Sequence, residues 1–64
     1  MAIHLKAARV HAGYTQEKAA EAVNISKNTL ASYEQYKTKP DIETALKLAA
    51  LYGLTVDDII FFAE

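Results

Sequence analysis

Between Ser26 and Lys37 the chain places Lys27, Asn28, Ala31, Ser32 and Gln35 at positions that share one side of a helix, with Leu30, Tyr33 and Glu34 on the other. The outer set is cationic, amide, hydroxyl and small, with no acid among them. These groups match the edges of bases. Lys donates to guanine O6 and N7, Asn pairs with adenine N6 and N7, Ser serves either, and Ala leaves room for a thymine methyl. A helix that only faces water more often carries Glu and Lys four apart, and this one does not. The pattern points to a helix laid in a major groove.

Other reactive residue types are present without a working arrangement. His4 and His11 lie seven residues apart, roughly 10 Å along a helix, which is too far for one metal ion, and the chain has no Cys. Asp57 and Asp58 are neighbours at a helix start, where their side chains diverge and serve the helix dipole. No Ser/His/Asp set, Gly-rich phosphate loop or His-Glu-x-x-His pattern occurs. The expectation is a protein that is not an enzyme and takes no cofactor, metal or small-molecule ligand.

The elements that position the outer set follow from helical periodicity, broken by two Gly, one Pro and short polar stretches. Five short helices are expected. The first covers about residues 3–12, with Leu5, Ala8 and Ala12 inward and Gly13 as its stop. The second covers residues 16–23 behind a Thr15 cap, with Ala19, Ala20 and Val23 inward; Tyr14, just before the cap, is expected to pack on the core. Asn24 tolerates a left-handed backbone and breaks the pattern. Ser26 caps the third helix, about residues 27–36. Asp41 caps the fourth, whose inward positions read Ile42, Ala45, Leu46, Leu48, Ala49 and Tyr52 up to Gly53. Thr55 and Asp58 start a fifth helix through Ile59 and Ile60.

At 64 residues the chain is one small all-α domain, residues 1–64, with a core that needs dense packing or self-association. Ile59, Ile60, Phe61 and Phe62 cannot all face inward on a short helix, so residues 56–64 are expected to form a dimerisation segment. The net charge of −1 hides a division: residues 1–39 carry +3 and residues 40–64 carry −4. A dipolar chain of this kind can turn its basic end to a polyanion. No apolar run is long enough for a membrane span and the first residues lack a signal-peptide core, so a cytoplasmic, soluble protein is expected.

Thr15-Gln16-Glu17-Lys18-Ala19-Ala20, Val23-Asn24-Ile25-Ser26, Thr29-Leu30-Ala31-Ser32-Tyr33-Glu34 and Pro40 together resemble the helix-turn-helix of the Cro/C1-type phage repressors and their bacterial relatives. The resemblance continues through Leu46-Lys47-Leu48-Ala49 and residues 54–60. It implies a lambda-repressor-like fold, with the second and third helices as the helix-turn-helix. Lys27, Asn28, Ala31 and Ser32 then correspond to base-reading positions, and Gln16, Thr29, Gln35, Lys37 and Lys39 to phosphate-binding ones. Arg9 and Glu34 correspond to an internal ion pair joining the first helix to the third. Tyr36 stands where such chains usually have Gly, which leaves two expectations: the third helix runs on, or Tyr36 lies on the phosphate backbone.

The function so implied is sequence-specific binding of double-stranded DNA by a homodimeric transcriptional regulator, most simply a repressor on an inverted-repeat operator. The alternative is an antitoxin or interaction module that holds a partner protein through the C-terminal apolar patch.

Overall fold

The computed structural model describes residues 2–62; Met1, Ala63 and Glu64, and so the end of the expected 56–64 segment, lie outside it. Its order is β1 (Ile3–His4), α1 (Leu5–His11), α2 (Gln16–Ala22), α3 (Lys27–Glu34), α4 (Ile42–Leu51), a 3₁₀ turn (Val56–Asp58) and β2 (Ile59–Ile60). None of the described helices is long and apolar enough to cross a membrane.

Helix starts follow local chemistry. The side-chain oxygens of Thr15, Ser26 and Asp41 accept from the backbone N–H of Lys18, Thr29 and Thr44 at 3.1, 3.0 and 2.9 Å. Bonds from Thr44 hold the Asp41 carboxyl below its ordinary range, and bonds from Thr55 do the same for Asp58. Helix ends are equally regular. Gly13, Asn24, Tyr36 and Gly53 follow α1 to α4, each with positive φ (86°, 61°, 61° and 73°). In each case the next residue's N–H bonds five residues back: Tyr14 to Arg9, Ile25 to Ala20, Lys37 to Ser32 and Leu54 to Ala49, at 2.9–3.1 Å.

The core is built on Leu5, Leu30 and Leu48, fully buried residues from α1, α3 and α4. Ala8, Ala19, Ala20, Ala45 and Ala49 fill the space between them and let the helix backbones approach closely. α2 packs mainly on α3, and also on α4.

Three expectations need correction. There are four α-helices among the described residues, not five: Ile59–Ile60 are extended and pair in parallel with Ile3–His4, Ile3 opposite Ile59 and His4 opposite Ile60. The reason is alternation. An extended run sends every second side chain inward, so both Ile59 and Phe61 reach the core (5% and 7% exposed), which a short helix would not allow. β1 in turn delays the start of α1 to Leu5. Second, α3 stops at Glu34, two residues before the expected end. Third, Ile42 and Leu46 are 69% and 55% exposed. The buried stripe of α4 is Ala45, Leu48, Ala49 and Tyr52. At 100° per residue Ile42 and Leu46 fall roughly 70° and 110° from its centre.

Tyr52 closes this stripe with its ring 6.0 Å from that of Tyr14, and its buried hydroxyl has no hydrogen-bond partner among the described residues. Burial, reinforced by the nearby Glu34 carboxylate, pushes the phenol up to about 12. The folded chain therefore holds a proton that the unfolded chain gives up near pH 10. Stability from this group is intact below pH 10 and falls as pH rises toward 12, by on the order of 2 kcal/mol. Urea unfolding across pH 7–12 should show this loss in the wild type and not in Tyr52→Phe, which should be at least as stable at pH 7 because it removes an unpaired hydroxyl.

Candidate nucleic-acid interface

α3 contributes only Leu30 to the fully buried core, so its placement depends on polar contacts as well. Glu34 supplies them. Its side chain is 3% exposed, and the carboxylate accepts from Arg9 Nε at 2.7 Å and Nη2 at 3.4 Å. Gln16 Nε2 donates to the same carboxylate at 2.9 Å. Arg9 Nη1 donates to the Tyr14 carbonyl oxygen at 2.8 Å, tying the group to the α1–α2 connection. One buried carboxylate thus gathers α1, α2 and α3, with its charge balanced by the guanidinium.

This clamp turns the opposite face of α3 outward. Lys27, Asn28 and Gln35 are exposed, and Thr29, Ala31 and Ser32 are half-buried. The Thr29 hydroxyl shares a hydrogen bond with Ser26 at 2.7 Å, and the Ser32 hydroxyl shares one with Thr38 at 3.0 Å. Gln16, at the first position of α2, turns its amide to Glu34. Past α3, Lys37 is exposed, while Lys39 places its Nζ 5.2 Å from the centre of the Phe62 ring, a cation–π distance.

Two partners here escaped the reading of the sequence. Thr38 bonds back to Ser32, and its type and its place in a polar loop give no hint of that. Tyr36 does not extend the helix: its hydroxyl donates to the Ile60 carbonyl oxygen at 3.4 Å and meets His4 Nδ1. Tyr36, two residues past the end of α3, meets groups of both strands, and only the position of the strands shows that.

The expected dimerisation set is also redistributed. Ile59 and Phe61 belong to the core for the reason of alternation given above, so near the C-terminal segment the exposed apolar residues are Phe62 (58% exposed), partly Ile60, and Ile42 and Leu46 of α4, while Val10 of α1 is exposed as well. Pro40, Ile42, Val56 and Phe62 line a shallow groove across this face.

Removing Arg9 alone strands a buried carboxylate. Arg9→Met should lower stability by about 3 kcal/mol in urea unfolding, whereas Arg9→Met combined with Glu34→Leu should recover most of the loss.

Comparison with known proteins agrees with this architecture. A family model described as helix-turn-helix matches residues 5–59. The chain is similar to the HTH-type transcriptional regulator ImmR of Bacillus subtilis, 48% identical over 56 residues that make up 88% of this chain and 44% of that protein. It is also similar to the cryptic phage CTXphi transcriptional repressor RstR of Vibrio cholerae, 34% identical over 88% of this chain and 50% of that one. The uncharacterized HTH-type transcriptional regulator YgzD of Bacillus subtilis is 30% identical over 94% of this chain and 91% of its own length. The chain spans about half the length of the first two relatives. No solved structure matches it significantly. The chain belongs to the Cro/C1-type helix-turn-helix family of transcriptional regulators.

Proposed function

We propose that the protein binds double-stranded DNA sequence-specifically, with α3 in the major groove, and acts as a homodimeric transcriptional regulator, most simply a repressor. The observation that carries this reading is the outward face of α3. Lys27 and Asn28 stand exposed at its N-terminal end while the Arg9–Glu34–Gln16 clamp fixes its inner side. Lys27, Asn28, Ala31 and Ser32 read base edges in this account; Gln16, Thr29, Gln35, Lys37 and Lys39 contact phosphates. The net +3 of residues 1–39 supports the approach to a polyanion, with the −4 of the remainder turned away.

A homodimer fits the small number of reading side chains. Each good base contact is worth about 1–3 kcal/mol of discrimination, so two or three per subunit give little specificity alone. Two copies related by a two-fold axis place their α3 helices about 34 to 36 Å apart and require an inverted repeat. The surface offered for pairing is Phe62 with Ile42, Leu46 and Ile60, beside the C-terminal segment. The repressor assignment draws on the relative named as a phage transcriptional repressor. The same apolar face favours a second reading, an antitoxin or interaction module that holds a different protein there.

Selection of bound duplexes from a random pool tests the first reading. Asn28→Ala should relax preference at particular base positions, whereas Lys37→Ala should weaken all duplexes together and lower the salt slope by about 0.9. An unchanged preferred sequence in Asn28→Ala contradicts the base-reading role. Sedimentation should show a dimer that Leu46→Asp with Phe62→Asp dissociates; a wild type that stays monomeric both free and on its duplex rules out pairing.

A further inference from the structure

Four helices end in the same backbone geometry, and three of them use residues that adopt it cheaply, Gly13, Asn24 and Gly53. The fourth uses Tyr36, an aromatic residue for which φ of 61° is sterically unfavourable. The ring has compensating contacts. Its hydroxyl meets His4 Nδ1 and donates to the Ile60 carbonyl oxygen, and its centroid lies 5.7 Å from that of the His4 imidazole. His4 and Ile60 are register partners in the β1–β2 pair. A single phenol therefore spans the pair and joins it to the end of α3.

The residues that follow are held by their own contacts. Lys37 N–H bonds to the Ser32 carbonyl oxygen at 3.0 Å, the Thr38 hydroxyl bonds to Ser32 at 3.0 Å, and Lys39 lies over Phe62. The Lys37 side chain projects to solvent between these fixed points. We propose that Tyr36 is a positioning residue for DNA binding: by tying the end of α3 to the strand pair it sets the path of residues 37–39 and aims the Lys37 ammonium at a phosphate. This inference rests on the DNA-binding reading. It gives the unfavourable backbone at Tyr36 a role that Gly at the same place cannot fill.

The test measures affinity against salt concentration for the full chain on a duplex selected by the wild type. Tyr36→Phe deletes only the hydroxyl, and Tyr36→Gly deletes the ring while relieving the backbone; circular dichroism establishes that each variant is folded. Both should bind about tenfold more weakly at 0.1 M salt, with the salt slope reduced by about 0.9, the signature of one lost phosphate contact. Lys37→Ala added to Tyr36→Gly should cause no further loss, because both changes remove the same contact. A general loss of folded protein lowers affinity without changing the slope, so the slope separates positioning from stability. Wild-type affinity and slope in either variant, or additive losses in the double variant, overturn the proposal. A wild type that selects no duplex overturns the DNA-binding reading and this inference with it; variants that match a binding wild type overturn the tether alone.

Discussion

A glutamate whose side chain is 3% exposed must have its charge and its lone pairs met inside the protein, and Glu34 meets that demand with groups from two other helices. The remainder of the α3 surface is arranged around this constraint. α3 is eight residues long and has a single fully buried side chain, so hydrophobic packing fixes its depth far better than its rotation. The forked geometry of Arg9 supplies the missing angular restraint, and the Gln16 amide adds a third direction. A pair of apolar residues of similar volume could be as stable. It would not set the rotation of α3 to the same degree, and rotation decides which side chains face outward.

The parts of the fold governed by near neighbours in sequence were legible. Thr15, Ser26 and Asp41 announce helix starts, Gly13, Asn24 and Gly53 announce stops, and each acts through bonds to residues three to five away. The helix-turn-helix and its outward side chains followed from these signals and from the match to a known pattern. What failed depended on distant partners. Ile42 and Leu46 look like core residues by type, but only the packing of α4 on the other helices decides which 100° of its circumference is covered. Ile59 to Phe62 carry equal hydrophobicity at every position, so their sequence is compatible with helix and strand alike; pairing with Ile3–His4 settles the matter. Tyr36 was visible as an anomaly, yet its partners lie more than twenty residues away in both directions along the chain.

The apolar face around Ile42, Leu46 and Phe62 lies in the acidic half of the chain, whereas the outward face of α3 lies in the basic half. Two surfaces of different chemistry therefore draw on different parts of the sequence and meet at residues 37–40. Lys39 belongs to both: it is a cation of the basic half and it lies on Phe62.

The β1–β2 pair has a further consequence for how the domain assembles. Every helix cap and stop acts within a few residues, but the register of Ile3 with Ile59 closes almost the whole chain into a ring. Closing so large a loop carries an entropic cost that local turns do not, and contacts of this span are the slow ones in small domains. The caps and stops thus cost little loop entropy, and the pairing of Ile3–His4 with Ile59–Ile60 carries a far larger share. Tyr36 reaches both His4 and Ile60, so the anchorage of the end of α3 depends on that long-range closure.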